Sequence, residues 1–239
     1  MRIDILSLFP EFFSVLSNWS IIGRAKEENR VQINSVNIRD FSKNKHKKVD
    51  DYPFGGGPGM VMTPEPILEA INSVKNIDSR VIYLSPQGKP FSQELANELS
   101  KESHLILLCG HYEGIDNRII DNYIDEEISV GDFVLTGGEI PAMIIMDAVV
   151  RLLPGVLSGE ESFMEESHYN GLLEHPQYTR PREFNGHTVP DILLSGNHKN
   201  IEAWKKEESL KSTFVKRPDL LEKVILSKEE KDILSKIKE

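Results

Sequence analysis

Three glycine-bearing segments, each following a short apolar run, contain residues suited to holding a ligand. They are residues 85–88, 110–114 and 131–138. Glycine lets a backbone approach a ligand closely because it has no Cβ. The stretch ISVGDFVLTGGEIP (128–141) matches neither a GxGxxG nor a GxxxxGK[ST] phosphate loop. Ordinary turn chemistry explains any one segment alone, but the three together predict a pocket for a nucleotide-like ligand held in some other way.

A second candidate region is the segment 165–181, which mixes carboxylates, aromatic rings and arginine without helical or strand periodicity. Its carboxylates are candidate proton acceptors, and its Tyr and His rings are suited to stacking on unpaired bases. Clustered acids in a connecting segment are more often simply solvated. His168 and His175 lack the spacing of metal ligands, so the sequence predicts no metal site there.

The elements that would position these residues alternate between strands and helices. Apolar runs predict strands at 3–9, 31–38, 80–84, 105–109 and 127–130. Helical patterns cover 64–74, 91–103 and 140–153, and the pattern is helical again from residue 200, including a capping box of Ser227 with Glu230. The sequence therefore predicts an α/β domain with a mostly parallel sheet, whose strand carboxyl ends form the ligand crevice.

The length of 239 residues allows two domains. We predict a cofactor-binding domain over 1–158, a flexible linker over 159–169 and a small helical domain over 170–239. The N-terminus reads as a strand rather than a signal peptide, and no apolar run approaches the roughly 20 residues that span a bilayer. A lone Cys109 excludes an internal disulfide and fits a reducing cytoplasm. Because Cys109 stands at the end of a predicted strand, we expect its side chain to be a small buried hydrophobic group.

The formal net charge is −10, which argues against simple charge-driven binding of nucleic acid. Two stretches are nevertheless locally basic: 39–48 carries five Lys/Arg against one acid, and 199–217 carries six against three. Such stretches are either solvated faces or phosphate contacts with strong salt dependence. The glycine-dense loop FGGGPG (54–59) follows the first stretch and is either a linker or a substrate-contacting loop.

A series of motifs extends along nearly the whole chain. They are DILSLFP (4–10), RDF (39–41), FGGGPGM (54–60), YLSPQG (83–88), CGHYEGID (109–116), SVGDFVLTGGEIPAM (129–143), RLLPGVL (151–157), GLLEHPQYTRP (171–181) and LLSGNH (193–198). In type and order they resemble the bacterial tRNA (guanine-37, N1)-methyltransferases of the TrmD family, in the SPOUT superfamily. The resemblance implies methyl transfer to guanosine 37 of tRNA.

The resemblance also implies a deep trefoil knot at the carboxyl edge of the sheet and a homodimer with its active site at the subunit interface. S-adenosylmethionine would be the methyl donor, the helical domain would bind the tRNA anticodon arm, and Mg²⁺ near Glu113 is a further candidate. The implied cofactor residues are Tyr83, Leu84, Ser85, Pro86, Gly110, Tyr112, Gly114, Val130, Gly131, Asp132, Phe133, Val134, Leu135, Gly137, Gly138 and Pro141. The implied RNA contacts are Lys45, Asp50, Glu174, His175, Tyr178, Arg180 and Asn197.

Methylation of guanine N1 needs a base for the N1 proton and a cation or donor for the charge that develops at O6. In the family an aspartate stands a fixed distance before Gly-Leu-Leu, and this chain has Glu166 at that position. Glu165 and Glu161 are alternatives, but only Glu166 keeps the spacing to Gly171. Arg151 matches the family's O6-stabilising arginine, although a cation at a helix C-terminus is also simply favourable there.

Three other classes of protein are alternatives. A ribose 2′-O-methyltransferase of the same superfamily would lack the block GLLEHPQYTRP, and a non-catalytic RNA-binding relative would lose the pair Arg151 and Glu166. A nucleotide hydrolase would need a phosphate loop. The chain contains the block and the pair, which favours base methylation.

Overall fold

The structure is a computed structural model that describes residues 1–157, 159 and 166–238. The chain divides into two compact units, Met1–Ser158 and Gly159–Glu239. Most of the segment 159–169, predicted as a flexible linker, lies outside the described residues.

A five-stranded parallel sheet forms the centre of the first unit, as the strand–helix alternation predicts. Its order is β2-β1-β6-β5-β7. The bounds are β1 Arg2–Ser7, β2 Gln32–Asn37, β5 Ser79–Pro90, β6 His104–Cys109 and β7 Glu126–Ser129, and a separate short hairpin pairs β3 Asp50–Asp51 with β4 Val61–Met62. Every residue of β6 is buried, which explains why this strand is a continuous apolar run rather than an alternating one.

The α-helices in the described part of this unit are α1 Ser20–Glu27, α2 Pro64–Val74, α3 Gln93–Leu99, α4 Asn117–Tyr123 and α5 Glu139–Val150. Alternate strand residues such as Leu6, Val81 and Ile106 pack in one buried cluster with Ile67 of α2 and Ile119 of α4. Successive side chains of a strand point to opposite faces of the sheet. The intervening strand residues therefore lie on the other face, and α5 contacts β1, β6, α1 and α3.

Two helices are shorter than the sequence predicts. The sequence predicts that α3 begins at Phe91, but the Phe91 N–H donates to Ser129 O at 2.7 Å, which keeps this residue hydrogen-bonded to β7. The helix begins after Ser92, whose Oγ accepts from Leu95 N at 3.2 Å. At the end of α5, Leu152 N and Leu153 N donate to carbonyls three residues earlier, at 3.1 Å each. Such i→i+3 bonds tighten and close a last helical turn.

The predicted loop 85–88 is wrong, because β5 does not end at Leu84. The strand continues to Pro90 with a shift of register in which Leu84 and Lys89 both pair with Ile128. A Cβ on Gly88 would lie 2.5 Å from backbone atoms of Glu127 and Ile128. The segment is therefore a bulge pressed against β7, and Gly88 permits the close approach of the two backbones.

The second unit is helical from His198 onward, as predicted. It contains α6 His198–Lys216, α7 Pro218–Leu221 and α8 Lys228–Lys238, with α6 contacting both others, and an unpredicted hairpin of β8 Glu183–Phe184 and β9 His187–Thr188. The capping box is confirmed, since Ser227 N donates to Glu230 Oε2 at 2.7 Å and Glu230 N donates to Ser227 Oγ at 3.3 Å. No helix in the described parts of the chain is long and apolar enough to cross a membrane.

Candidate active site

A cavity of about 240 Å³ lies at the carboxyl ends of β5, β6 and β7, and all three glycine-bearing segments line it. These strands are neighbours in the parallel sheet, so their carboxyl ends meet at one edge. The predicted cofactor residues in the lining are Tyr83, Leu84, Ser85, Pro86, Gly110, Tyr112, Gly114, Val130, Gly131, Phe133, Val134, Leu135, Gly137, Gly138 and Pro141. The structure thus brings together residues that are up to 58 positions apart in the sequence.

Asp132 is exposed in the same loop and is not among the cavity-lining residues. Six further lining residues are not among the implied cofactor residues: Gln87, His111, Glu113, Ile128, Ser129 and Thr136. Of these, sequence reasoning named only Glu113 individually, as a candidate for Mg²⁺. All six lie inside or next to the recognised motifs, so their position in those motifs was the available signal. Their side-chain contacts depend on the fold.

Two of the glycines allow the wall segments to pack against each other. A Cβ on Gly110 would lie 2.8 Å from the Tyr83 hydroxyl oxygen, and a Cβ on Gly138 would lie 2.6 Å from Cys109 Cα. Gly138 N also donates to Gly110 O at 3.0 Å. These glycines are thus required by the packing of the walls and not only by the approach of a ligand.

A buried carboxylate fastens the loop before α5 to the other walls. Glu139, the first residue of α5, is 5% exposed. Its Oε1 accepts from Ser7 Oγ at 2.6 Å, and its Oε2 lies 2.7 Å from His111 Nε2. Gly137 packs against the contact between His111 and Glu139, because a Cβ on Gly137 would overlap both of these side chains. A carboxylate at the first turn of a helix is also stabilised by the helix dipole.

Burial keeps two titratable groups at this edge protonated. Burial, with a smaller effect of the Glu127 charge, raises the pKa of Tyr83 to about 12. Burial, with a smaller effect of the Glu139 charge, raises the pKa of the Cys109 thiol well above its usual value. The prediction of Cys109 as a buried small hydrophobe is confirmed, and neither group is suited to accept a proton at neutral pH.

The charge of the lining distinguishes it from a phosphate site. None of the described residues that line the cavity is Lys or Arg, and Glu113 contributes a carboxylate. The glycine-dense loop 54–59 and the residue after it contact Glu113. Glu113 N donates to Met60 O at 3.0 Å, and the Glu113 side chain occupies the space that a Cβ on Gly59 would need. Within the described parts of the chain, no cluster of three or more His, Cys, Asp or Glu is arranged to hold a metal ion.

The two predicted catalytic residues belong to different units. Arg151 is the C-terminal capping residue of α5 in the first unit. Glu166 is partly buried in the second unit, where its carbonyl accepts from Tyr169 N at 3.3 Å. The alternatives Glu161 and Glu165 lie outside the described residues.

In the first unit, the basic stretch 39–48 is largely paired with acids of its own chain. Lys43 Nζ lies 2.6 Å from Glu65, Lys47 Nζ 2.5 Å from Asp40 and Lys48 Nζ 3.3 Å from Asp51. Among the residues described, Lys45 is the lysine of this stretch that has no acidic partner, and it is exposed. Asp50, also a predicted RNA contact, lies partly buried in β3.

In the second unit, the predicted RNA contacts His175 and Tyr178 share an aromatic neighbour that sequence reasoning missed. Their ring centroids lie 6.1 Å and 6.3 Å from that of Trp204 in α6. Arg180 is exposed, and the Glu174 carboxylate accepts from the Gln177 side-chain amide. Asn197 caps α6 by accepting from Asn200 N at 3.3 Å, so this residue has a structural role whether or not it contacts RNA.

Comparison with known proteins gives a consistent result along the chain. The family model described as tRNA (Guanine-1)-methyltransferase TrmD matches residues 1–223. The chain is 61% identical to a "tRNA (guanine-N(1)-)-methyltransferase" of Ruminiclostridium cellulolyticum, over 94% of this chain and 97% of the relative. Proteins of the same name from Alkaliphilus oremlandii and Staphylococcus carnosus are 59% and 56% identical over 100% of this chain, and 99% and 98% of their own lengths are covered. The chain therefore belongs to the tRNA (guanine-1)-methyltransferase TrmD family.

Proposed function

We propose that this chain transfers a methyl group from S-adenosylmethionine to N1 of guanosine 37 in the anticodon loop of tRNA. The cavity at the ends of β5, β6 and β7 carries the proposal, because the family's own motifs build it. The names of the relatives support guanine N1 as the acceptor. In this proposal the three segments form the deep trefoil knot of the SPOUT superfamily, and the protein acts in the cytoplasm.

The properties of the lining fit the proposed donor. S-adenosylmethionine has no phosphates and supplies an electrophilic methyl group on a positively charged sulfonium. The described lining has no Lys or Arg that would repel this charge, and Glu113 adds a carboxylate. Tyr83, Leu84, Phe133 and Leu135 offer apolar surface for an adenine ring, and the segments around Gly110 and Gly138 offer backbone polar groups. Mg²⁺ remains a further candidate near Glu113.

Glu166 is the proposed general base. Guanine N1 carries a proton at neutral pH, and its lone pair can form the new N–CH₃ bond only as that proton leaves. A glutamate carboxylate accepts such a proton as an aspartate would, with a reach longer by one methylene. The proton passes to Glu166 while the S–CH₃ bond breaks, leaving an uncharged thioether.

Arg151 is the proposed electrostatic partner. As N1 loses its proton, negative charge develops toward O6 of the guanine, and a guanidinium near that oxygen lowers the barrier. The position of Arg151 directly after α5 places it on a rigid element of the unit that contains the cavity. The second unit, with its exposed Tyr178 and Arg180, would bind the anticodon arm.

A homodimer is part of the same proposal. Phe9, Phe12, Ile140 and Ile144 are each 44–48% exposed in the first unit. Phe9, Phe12 and Ile140 line an apolar cleft of about 530 Å³ that also includes His111, a lining residue of the cavity. A second copy covering this cleft would remove the exposed apolar surface from water and complete an active site beside the cavity.

The direct test is mass spectrometry of an unmodified tRNA transcript after incubation with S-adenosylmethionine, with and without guanosine at position 37. We expect N1-methylguanosine at position 37 only, and no methylation of the transcript that lacks guanosine there. Glu166→Gln should slow single-turnover methylation by two orders of magnitude or more, while Glu165→Gln should retain the wild-type rate. A near wild-type rate for Glu166→Gln would remove it as the base, and full activity in Arg151→Ala would remove the arginine from the mechanism.

A further inference from the structure

The segment that contains Glu166 is folded into a compact turn. Tyr169 N donates to Glu166 O at 3.3 Å, and His168 N donates to Leu172 O at 2.7 Å. Ser167 Oγ accepts from Glu174 N at 3.0 Å. Residues 166–169 are therefore hydrogen-bonded to residues 172–174, and the backbone that bears the Glu166 side chain depends on where residues 172–174 are held.

Two hydroxyl groups of α6 hold that backbone at Leu173. Thr213 Oγ1 accepts from Leu173 N at 2.9 Å, and Ser209 Oγ donates to Leu173 O at 2.6 Å. The two residues are four positions apart and so lie on one face of the helix. Both backbone polar groups of Leu173, which belongs to no strand or helix, are satisfied by these side chains.

The choice of residues at these two positions is unusual for a packed helix. Thr213 is completely buried, at 0% exposed, where a helix in a small domain would normally present an apolar side chain. A buried hydroxyl lowers stability unless it is hydrogen-bonded, and threonine is a poor helix former. Thr213 Oγ1 also donates to Ser209 O at 2.8 Å, so its proton and a lone pair are both used. These hydrogen bonds are directional, so they fix the position of residues 172–174 along α6. Apolar packing is non-directional and would specify that position less strictly.

We infer that Ser209 and Thr213 are positioning residues for the general base, acting through the Leu173 backbone and the turn at 166–169. This inference rests on the proposed function of Glu166. Neither hydroxyl contacts a reacting atom in this scheme. Their effect is to keep the Glu166 carboxylate within reach of the guanine N1 proton, since small displacements of a catalytic group cost large factors in rate.

The test uses the full chain and three variants. Thr213→Val keeps the side-chain shape and removes the acceptor for Leu173 N; Ser209→Ala removes the donor to Leu173 O; Thr213→Ser keeps the hydroxyl. We expect the first two to lower the single-turnover methylation rate at saturating tRNA about tenfold or more, with an unchanged affinity for S-adenosylmethionine, and Thr213→Ser to restore most of the rate. Ser235→Ala is the matched control, because Ser235 Oγ donates to the carbonyl four residues earlier in α8.

A double-mutant cycle separates this inference from the proposed function. If the hydroxyls act through Glu166, Thr213→Val should slow the Glu166→Gln variant no further. The positioning role would be overturned, with Glu166 still the base, by either of two results. One is a double variant whose methylation rate falls by the product of the two single-variant factors. The other is a wild-type rate in both Thr213→Val and Ser209→Ala. A wild-type rate in Glu166→Gln alone would overturn both. If Thr213→Val does not fold, as judged by circular dichroism, the same cycle is measured with Ser209→Ala.

Discussion

The packing of Tyr83 in the cavity wall determines the protonation state of the Tyr83 hydroxyl. Its hydroxyl lies where Gly110 leaves room, and the residue is 6% exposed. The tyrosine can therefore remain neutral over the whole pH range in which such an enzyme works. The same burial has a measurable consequence in alkaline solution.

Folding stability should fall between about pH 10 and pH 12 because of Tyr83. An unfolded tyrosine ionises near pH 10, while in the folded chain the pKa of Tyr83 is about 12. The folded state therefore keeps a proton that the unfolded state loses, so this stabilising contribution is complete below pH 10 and decreases as pH rises toward 12. Urea unfolding at several alkaline pH values should show a shallower decline for Tyr83→Phe than for wild type. Equal declines would contradict the assigned burial effect.

Glu139 should be important for stability as well as for the cavity. Glu139→Ala removes the acceptor for Ser7 and the partner of His111, so we expect a loss of about 2–3 kcal/mol in the free energy of unfolding and weaker binding of S-adenosylmethionine. Glu94→Ala is the control, since Glu94 is an exposed acid in the first turn of α3. Chemical denaturation and calorimetric titration measure the two effects, and equal behaviour of both variants would exclude a special role.

At the scale of elements, the bulge in β5 places Ser85, Pro86 and Gln87 in the cavity wall. Gly88→Ala should cost about 3 kcal/mol or more, because its Cβ would meet the backbone of β7. Gly56→Ala places a Cβ in open space, and its cost should be about 1 kcal/mol from the positive φ alone. Comparison of the unfolding free energies tests this, and a smaller loss for Gly88→Ala than for Gly56→Ala would contradict the assigned packing.

The sequence predicts the elements better than it predicts their ends. Buried parallel strands such as β6 are continuous apolar runs, so their existence is evident from the residues alone. Pro86 and Gly88 are ordinary signals for a turn, yet the chain stays in the sheet because β7 pairs with β5 on both sides of the bulge. That pairing is a tertiary interaction and leaves no local signal.

The same division applies to the candidate site. The motifs identified the cavity walls, because glycines after adjacent parallel strands must meet at one edge. His111 lies in the motif CGHYEGID, but the motif does not reveal its role, because that role depends on Glu139, which lies 28 residues away in the sequence. The hydroxyls of Ser209 and Thr213 were likewise invisible, since serine and threonine within a helical pattern are usually solvent-facing or neutral.

At the scale of the whole molecule, the exposed apolar cleft predicts an assembly. We expect the protein to sediment as a dimer, and Phe12→Glu to shift it toward monomer with loss of methylation, because a carboxylate would be buried in the interface. Ile77→Glu is a control in the same unit, since Ile77 is 97% exposed and is not among the residues that line the cleft. Sedimentation velocity distinguishes the outcomes, and a dimeric, active Phe12→Glu variant would place the interface elsewhere.

The internal ion pairs of residues 39–48 affect how RNA binding should respond to salt. A phosphate that takes Lys43, Lys47 or Lys48 must displace Glu65, Asp40 or Asp51, so these contacts exchange one carboxylate for another anion. The RNA still releases its condensed cations, but the freed carboxylate attracts a cation in turn, so the net release of ions is smaller than for a contact with a hydrated lysine. The affinity should therefore fall less steeply with ionic strength than a count of basic residues suggests. Shape and base contacts would then carry a larger share of tRNA recognition.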